Sequence, residues 1–377
     1  MLILVNGIPA QRQRRRRLLR VLALLVALLP GLRAAAAEVP WLYEVAVPVV
    51  DQSVGARRDA GRDALLVLLT RLTGLPNVPR SEPVTRALGA PDLFYNQFRY
   101  EAVPAGSQAS APGLLLHLQF APRPVLDLVR EAQLPVWRSN RPTVVAWLVQ
   151  DDAVGDSLAT QGEASTRHVL GADSDQPVVR GLVERARLRG LPLRLPLMDL
   201  TDQLAVAPGA VWGRLSQTLL PASERYAADI VLVGRLQRRG DGAWASSWEA
   251  WIDGEVRELN LDDSDAARLG AAAADLVADD LVQRYAVLDR GSRQLRLSVS
   301  AVRGAADYAA LLSYLSGLEF VDDIVVTGVA GDRVDVTLST AAQAEQLLGL
   351  FRIDGRLYDD RLSLVAGSDL SLVWRNR

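Results

Sequence analysis

One short run of the sequence constrains the fold more than any other feature. Residues 143–149 read Thr-Val-Val-Ala-Trp-Leu-Val and contain a single polar side chain. A strand with one solvated face alternates polar and apolar residues, so an almost unbroken apolar run is typical of a strand that is covered on both faces. We therefore predict a central strand of a layered α/β domain at this point of the chain.

The elements around this run predict a central α/β domain at residues 140–288. We expect the following elements: a helix striped by Val179–Ala186, an extended piece at Leu191–Leu197, a helix around Val211–Leu220, a strand at Ile230–Leu236, its hairpin partner Trp244–Ile252, and a long helix capped by Ser264. The polar segment 151–176 shows little periodicity. Loops of this length are uncommon in compact domains, so we predict that it is mobile or functional.

Two smaller domains are predicted on either side of the central domain. Residues 38–139 show the order β-α-β-β-α of an α+β unit, in which Ser53 can cap the first helix and Gly74 stops it. Residues 289–377 contain the order β-α-β-β-α-β over about 293–360, which is typical of a ferredoxin-like unit, and Leu370–Trp374 could add one strand. The predicted fold class is thus multi-domain, α+β and α/β, with a C-terminal ferredoxin-like unit.

The N-terminal residues have the three parts of a secretory signal peptide. Six arginines between Arg12 and Arg20 precede an apolar stretch at Val21–Leu29, and Ala34–Ala37 supply small residues with A-x-A spacing. The apolar stretch is too short to span a bilayer, which needs about 20 residues. We predict a signal peptide at 1–37, cleavage after Ala37 and a periplasmic mature protein. An uncleaved anchor or an amphipathic arm is the alternative.

Charge and composition exclude several classes of function. The segment 1–37 carries seven arginines, so the remaining 35 arginines and 44 acids give the mature chain a net charge of −9. An acidic surface is unsuited to nucleic acid and to anionic lipid. The chain has no cysteine and no lysine, which excludes thiolate metal sites, Schiff bases and phosphate-loop lysines. We predict no cofactor, no metal site, no catalytic residue and no stable membrane span after cleavage.

Several short phrases of the sequence resemble one family. Together they are similar to a proteobacterial family known as domain of unknown function 2066, over about residues 41–350. The clearest phrases are these: Leu42-Tyr43-Glu44-Val45, Arg71-Leu72-Thr73-Gly74, Arg141-Pro142, Arg189-Gly190-Leu191-Pro192-Leu193 and Asp229-Ile230-Val231-Leu232-Val233-Gly234-Arg235. The resemblance implies an uncharacterised exported protein and brings no reaction, ligand or catalytic residue.

Four residues are candidates for ligand binding. Asp151 and Asp152 directly follow the apolar run, and ligands of open α/β sheets bind beyond the carboxyl ends of strands. These acids could bind a cation or act as acid and base, or simply begin a solvated loop. Asp199 could hold a ligand or cap a turn. Trp251 could be an exposed aromatic anchor or part of the core. A cavity lined by all four would support a ligand site.

These observations lead to two hypotheses for the function. The first is a non-enzymatic binding or scaffold protein of the cell envelope, with another envelope protein as its partner. The alternative is a periplasmic small-molecule or glycan binder, or a hydrolase, that uses the acids near Asp151 and Asp199.

Overall fold

The computed structural model describes residues 41–103, 113–137, 140–152, 167–288, 291–318, 320–360 and 365–375. The predicted signal peptide with its cleavage point after Ala37, and most of the predicted loop 151–176, lie outside the described residues. Within residues 36–377 the chain forms one compact unit. The three predicted domain boundaries stay a prediction, although each predicted domain has a sheet of its own.

The first part of the chain is a three-stranded antiparallel sheet packed against helices, in the predicted order β-α-β-β-α. Its elements are β1 (Glu44–Val49), α1 (Val54–Thr73), α2 (Glu82–Gly89), β2 (Tyr95–Val103), β3 (Gly113–Phe120), α3 (Pro122–Glu131) and the short β4 (Pro135–Val136). The sheet order is β1-β3-β2. As predicted, α1 begins after Ser53, whose side chain accepts a hydrogen bond from the Ala56 amide, and ends at Gly74 with φ +65°.

The central part is a six-stranded mixed sheet with helices on both faces. Its elements are β5 (Val144–Asp151), β6 (Arg167–Leu170), α4 (Pro177–Arg189), β7 (Leu193–Arg194), α5 (Leu200–Ala205), α6 (Pro208–Trp212), α7 (Ser216–Glu224), β8 (Ile230–Arg238), β9 (Trp244–Ile252), β10 (Glu255–Asp263) and α8 (Ala266–Tyr285). The order is β10-β9-β8-β5-β6, and β7 pairs with β5. All eight residues of β5 are buried, which confirms the prediction from the apolar run.

The two faces of this sheet meet different helices. Residues of α4 and α8 share a core with one face, and residues of α6 and α7 share a second core with the other face. β5 and β8 are parallel neighbours, so their carboxyl ends lie at the same edge of the sheet.

Two local predictions in the central domain were wrong, and two edge strands were missed: β10, and β6 within the segment 151–176 that was predicted as a loop. The helix predicted around Val211–Leu220 is interrupted, because Arg214 between α6 and α7 has φ +53°. The edge strand β10 was not predicted, since its polar composition hides the alternation that marks a half-buried strand. The cap of α8 is Asp265, which accepts a hydrogen bond from the Ala267 amide, and not Ser264.

The C-terminal part has the predicted order β-α-β-β-α-β and the additional last strand. The short β11 (Val287–Leu288) precedes this part and pairs with β4. The elements of the part itself are β12 (Arg293–Ser300), α9 (Ala305–Ser316), β13 (Val321–Ala330), β14 (Arg333–Thr340), α10 (Ala344–Asp354), β15 (Leu357–Asp359) and β16 (Leu370–Trp374). The sheet order is β13-β14-β12-β16-β15. β16 lies parallel to β12 and separates it from β15, a neighbour that a ferredoxin-like sheet would place directly beside β12.

Three buried arginines join the first sheet unit to the central one. The Arg141 guanidinium donates 2.7 Å hydrogen bonds to the carbonyl oxygens of Arg71, Trp137 and Gly190 and lies 4.1 Å from the Trp137 ring centroid. Arg189 donates to the Gly74 carbonyl at 2.6 and 2.9 Å and pairs with carboxylates of α8. We name the side chains of Arg71, Arg141 and Arg189 the arginine lock.

The surroundings of the arginine lock explain the glycine at position 190 and the perturbed pKa of one guanidinium. Gly190 has φ +71°, and a Cβ there would lie 2.1 Å from Nη1 of Arg141. Arg71 donates to the Glu44 carbonyl at 2.7 Å and to the Arg187 carbonyl at 3.1 Å. Burial, with a contribution from the Arg187 charge, lowers the pKa of Arg71 to about 10. The phrases of the family resemblance thus meet at a structural junction.

Candidate functional site

One face of the central sheet changes from apolar to polar along its strands. Near the start of β8, Val231 and Val233 are buried under α6 and α7. Farther along the same face lie Arg235 and Gln237, because side chains two residues apart point to the same side of a strand. The helices leave this polar half open, and it forms a groove of about 410 Å³.

The register of three strands builds the floor of the groove. Arg235 on β8 lies opposite Ser247 on β9, and Ser247 lies opposite Asn260 on the edge strand β10. Residues that are paired directly across strands share a face, so the three side chains form a polar row. The residues lining the groove are Trp212, Arg235, Leu236, Gln237, Ala245, Ser246, Ser247, Asn260 and Asp262.

The aromatic wall of the groove comes from the end of α6. Pro208 begins this helix and Trp212 ends it, after which Arg214 turns the chain in the left-handed region. Two cations contact the Trp212 ring: the guanidinium carbon of Arg167 is 4.0 Å from the ring centroid and that of Arg235 is 5.7 Å away. Cation–π contacts of this kind hold the indole at the rim of the groove.

Most charges around the groove are paired. Arg214 forms an ion pair with Glu249 and also donates to the Ser247 hydroxyl. Nε of Arg167 lies 2.8 Å from a carboxylate oxygen of Asp151. At the far end of the groove, Nη1 of Arg239 lies 2.5 Å from the Asp262 carboxylate.

Arg235 differs from these cations. It donates to the Trp212 carbonyl at 3.2 Å and to the Ser247 hydroxyl at 3.5 Å, and among the described residues no carboxylate lies within ion-pair distance of it. Burial first, and then the nearby charge of Arg214, lower the pKa of Arg235, while Glu249 acts in the opposite direction. Arginine stays protonated in proteins even when its pKa is lowered, so Arg235 is a cation that has no carboxylate partner in the described regions.

Asp151 and Asp152 lie at the carboxyl end of β5, as predicted, but in different environments. Asp151 is 4% exposed, and its carboxylate accepts the hydrogen bond from Arg167. Asp152 is exposed, accepts a hydrogen bond from Gln150 at 2.8 Å, and lies 3.3 Å from Nδ1 of His168. Asp151 thus supports Arg167, which in turn packs on the aromatic wall, and it lies directly opposite Gln237 on the same face of the sheet as the groove.

Trp251 lies on the same face of β9 as Ser247, four residues farther along the strand, while Asp199 belongs to a different cluster. The Trp251 indole N–H donates to Glu249 at 3.1 Å, and Glu249 is the carboxylate that pairs with Arg214. Asp199 caps α5 by accepting from the Asp202 amide, and both of its oxygens accept from Arg225 at 2.9 Å. The Arg225 hydrogen bonds lower the pKa of Asp199 to about 2.

None of the four candidates is among the described residues that line the groove, and their role in ligand binding stays a prediction. Sequence reasoning missed Trp212, Arg235, Ser247 and Asn260. Arg235 lies near the end of the predicted strand Ile230–Leu236, on the same face as the buried Val231 and Val233. An arginine at such a position was the feature of the sequence that could have indicated the site. In the described regions, no group of three His, Asp or Glu residues is placed to hold a metal ion.

Comparison with known proteins gives a partial classification. A family model described as Domain of unknown function (DUF8605) matches residues 36–138. The chain contains an uncharacterised domain. The matched family differs from the 2066 family that the phrases resemble, and its match covers the first predicted domain alone. No curated protein matches the chain.

A solved structure is similar to part of the chain. It is titled "Crystal structure of uncharacterized protein", is 14% identical, and is matched over 38% of this chain and 98% of that chain with a TM-score of 0.16. A TM-score this low does not indicate a shared fold. Across the regions that the structure describes, no helix combines the length and the apolar character needed to cross a bilayer.

Proposed function

We propose that the protein is an exported, non-enzymatic binding protein of the cell envelope, and that the groove beside Trp212 is its binding surface. The observation that carries this proposal is the combination of an aromatic wall, a guanidinium without a carboxylate and a polar row on one open sheet face. Aromatic side chains and arginine dominate the binding energy of many protein surfaces. A groove of this volume accommodates a ligand or a short segment of a partner.

Export is supported by the N-terminal sequence. A basic opening, a short apolar stretch and small residues before Glu38 are the three parts of a cleavable signal. The acidic balance of the remaining chain disfavours nucleic acid as the partner. An envelope component is therefore the partner that fits the proposed location.

The geometry favours binding over hydrolysis. Hydrolysis by a pair of acids needs two carboxylates that face one substrate. The Asp151 carboxylate is buried against Arg167, and the Asp199 carboxylate is held by Arg225 at a helix cap. Both carboxylates support local structure. Of the alternative function, we therefore keep small-molecule or glycan binding and leave out hydrolysis.

We also propose that the chain belongs to the 2066 family over residues 41–350. The support is the arginine lock, because the phrases at Arg71–Gly74, Arg141 and Arg189–Gly190 come from distant parts of the sequence and meet at one junction. Such a junction couples the first and central domains, as a family that spans both domains requires.

The binding role is tested by affinity capture from an envelope extract of the native host. Wild-type protein should recover a reproducible envelope component, and Trp212→Ala should lose it. Arg238→Gln is the matched control, because Arg238 is exposed on β8 and alternates to the face opposite Arg235. Circular dichroism should show that both variants are folded. Equal recovery by the wild type and by Trp212→Ala would refute the groove as the binding surface.

A further inference from the structure

We infer that the groove recognises a carboxylate, carried by an acidic sugar or by the free end of a short peptide, and that Arg235 is the residue that binds it. This inference deepens the proposed function and rests on it. It assigns the ligand class and the recognition residue, neither of which follows from the fold.

Arg235 is the cation of the groove that lacks an ion pair. Arg214, Arg167 and Arg239 each have a carboxylate partner, namely Glu249, Asp151 and Asp262. Among the described residues no carboxylate forms an ion pair with Arg235. A carboxylate of the ligand can supply the missing partner.

Hydrogen bonding shows which polar groups still face the ligand. The Ser247 hydroxyl donates to the side-chain oxygen of Asn260, while the Ser247 oxygen accepts from Arg214 and Arg235. This arrangement occupies the hydroxyl and the amide oxygen, and it leaves the Asn260 amide N–H groups as donors. Two of the five guanidinium N–H groups of Arg235 are used by Trp212 and Ser247. The floor therefore presents donors, which match the oxygens of an anion.

The shape of the guanidinium and the length of the floor further restrict the class of ligand that fits the groove. A guanidinium is a planar fork that matches the two oxygens of a carboxylate. Arg235 and Asn260 are two strands apart, which places their backbones about 10 Å from each other. One sugar ring or two amino-acid residues can carry a carboxylate at Arg235 and a hydroxyl or carbonyl oxygen at Asn260. The Trp212 ring offers a flat surface beside them.

Calorimetric titration of the purified protein tests this assignment. The probes are glucuronate and acetyl-dialanine, each with a neutral counterpart, methyl glucoside and acetyl-dialanine amide, and inorganic phosphate is the fifth probe. We expect at least one carboxylate to bind with Kd below about 1 mM and its neutral counterpart at least ~10-fold more weakly. Arg235→Gln should weaken the carboxylate about 10- to 100-fold, the range for hydrogen bonds to charged groups.

Two further variants separate recognition from folding. Arg235→Lys keeps the charge and loses the planar fork, so it should bind more weakly than the wild type and more tightly than Arg235→Gln. Arg238→Gln, on the opposite face of the same strand, should bind like the wild type. The proposal is overturned if neither carboxylate binds, if the neutral counterparts bind equally well, if both glutamine variants lose affinity equally, or if phosphate alone binds through Arg235.

These results can be told apart from failure of the proposed function. If capture of an envelope component still depends on Trp212 while neither carboxylate binds, the ligand class is wrong and the binding role stands. If a carboxylate binds through Arg235 and no envelope component is captured, the ligand class stands and the proposed envelope partner is wrong.

Discussion

Replacing Arg141 by methionine should strongly destabilise the junction between the first sheet unit and the central one. Arg141 is fully buried, and its guanidinium satisfies three carbonyl oxygens at 2.7 Å. Each buried acceptor that loses its donor costs about 1–3 kcal/mol, and the lost contact with the Trp137 ring adds about 0.5–2 kcal/mol. Methionine also removes a buried charge, which recovers part of the desolvation cost.

We therefore expect the free energy of unfolding to fall by about 3–5 kcal/mol, which is the lower end of the sum of these costs. For units of this size the melting temperature should fall by about 6–20 °C. Urea unfolding followed by tryptophan fluorescence measures the loss, because Trp137 lies directly against the guanidinium. The variant should also unfold in two steps, since the first and central parts have separate apolar cores.

Arg58→Met is the matched control, because Arg58 is exposed on α1. Its stability should stay within about 0.5 kcal/mol of the wild type. Gly190→Ala tests the same junction from the other side, since its new Cβ would lie 2.1 Å from Nη1 of Arg141. If the free energy of unfolding of Arg141→Met were within about 1 kcal/mol of the wild-type value, the arginine lock would not hold the two parts together.

Three further predictions concern single sites. Asp199→Asn should lose the stabilising ion pair with Arg225. The folded pKa of Asp199 is about 2 against an ordinary value of 3.8, so wild-type stability should fall as the pH drops from 3.8 to about 2. Below that pH the wild type and Asp199→Asn should have the same melting temperature. Burial raises the pKa of Tyr285 to about 12, so an ultraviolet titration should show one tyrosine ionising well above 10, and Tyr285→Phe should remove that step. Gly234→Ala should cost about 1–3 kcal/mol in urea unfolding, since its Cβ would lie 2.3 Å from a buried indole, whereas Gly240→Ala, with open space around it, should not reproduce the loss.

The parts of the fold that burial determines could be predicted from the sequence. The apolar run at 143–149 became a strand with every residue buried, and α1 ends at the predicted Gly74. The edge strand β10 was missed because it is largely exposed, so its apolar alternation is limited to Leu259 and Leu261. The break at Arg214 was missed because a positive φ at a residue other than glycine has no signal in local composition.

The site was harder to predict because it depends on strand register. Asp151 was chosen for its position at a strand end and Trp251 as a possible aromatic anchor. In the structure Asp151 contacts Arg167 and Trp251 contacts Glu249, both beside the groove. Arg235, Ser247 and Asn260 are far apart in sequence, and they form a row only after three strands are paired. The pairing of β8 with β9 was predicted without its register, and β10 was not predicted at all, so the floor of the groove could not be identified in advance.

The most direct test of the account is the identity and location of the N-terminus in the native host. The protein should be recovered from the periplasmic fraction, and intact-mass analysis should show a chain that begins at Glu38. Recovery from the cytosol of a chain that still begins at Met1 would contradict export, and with it the envelope partner that the groove is proposed to bind.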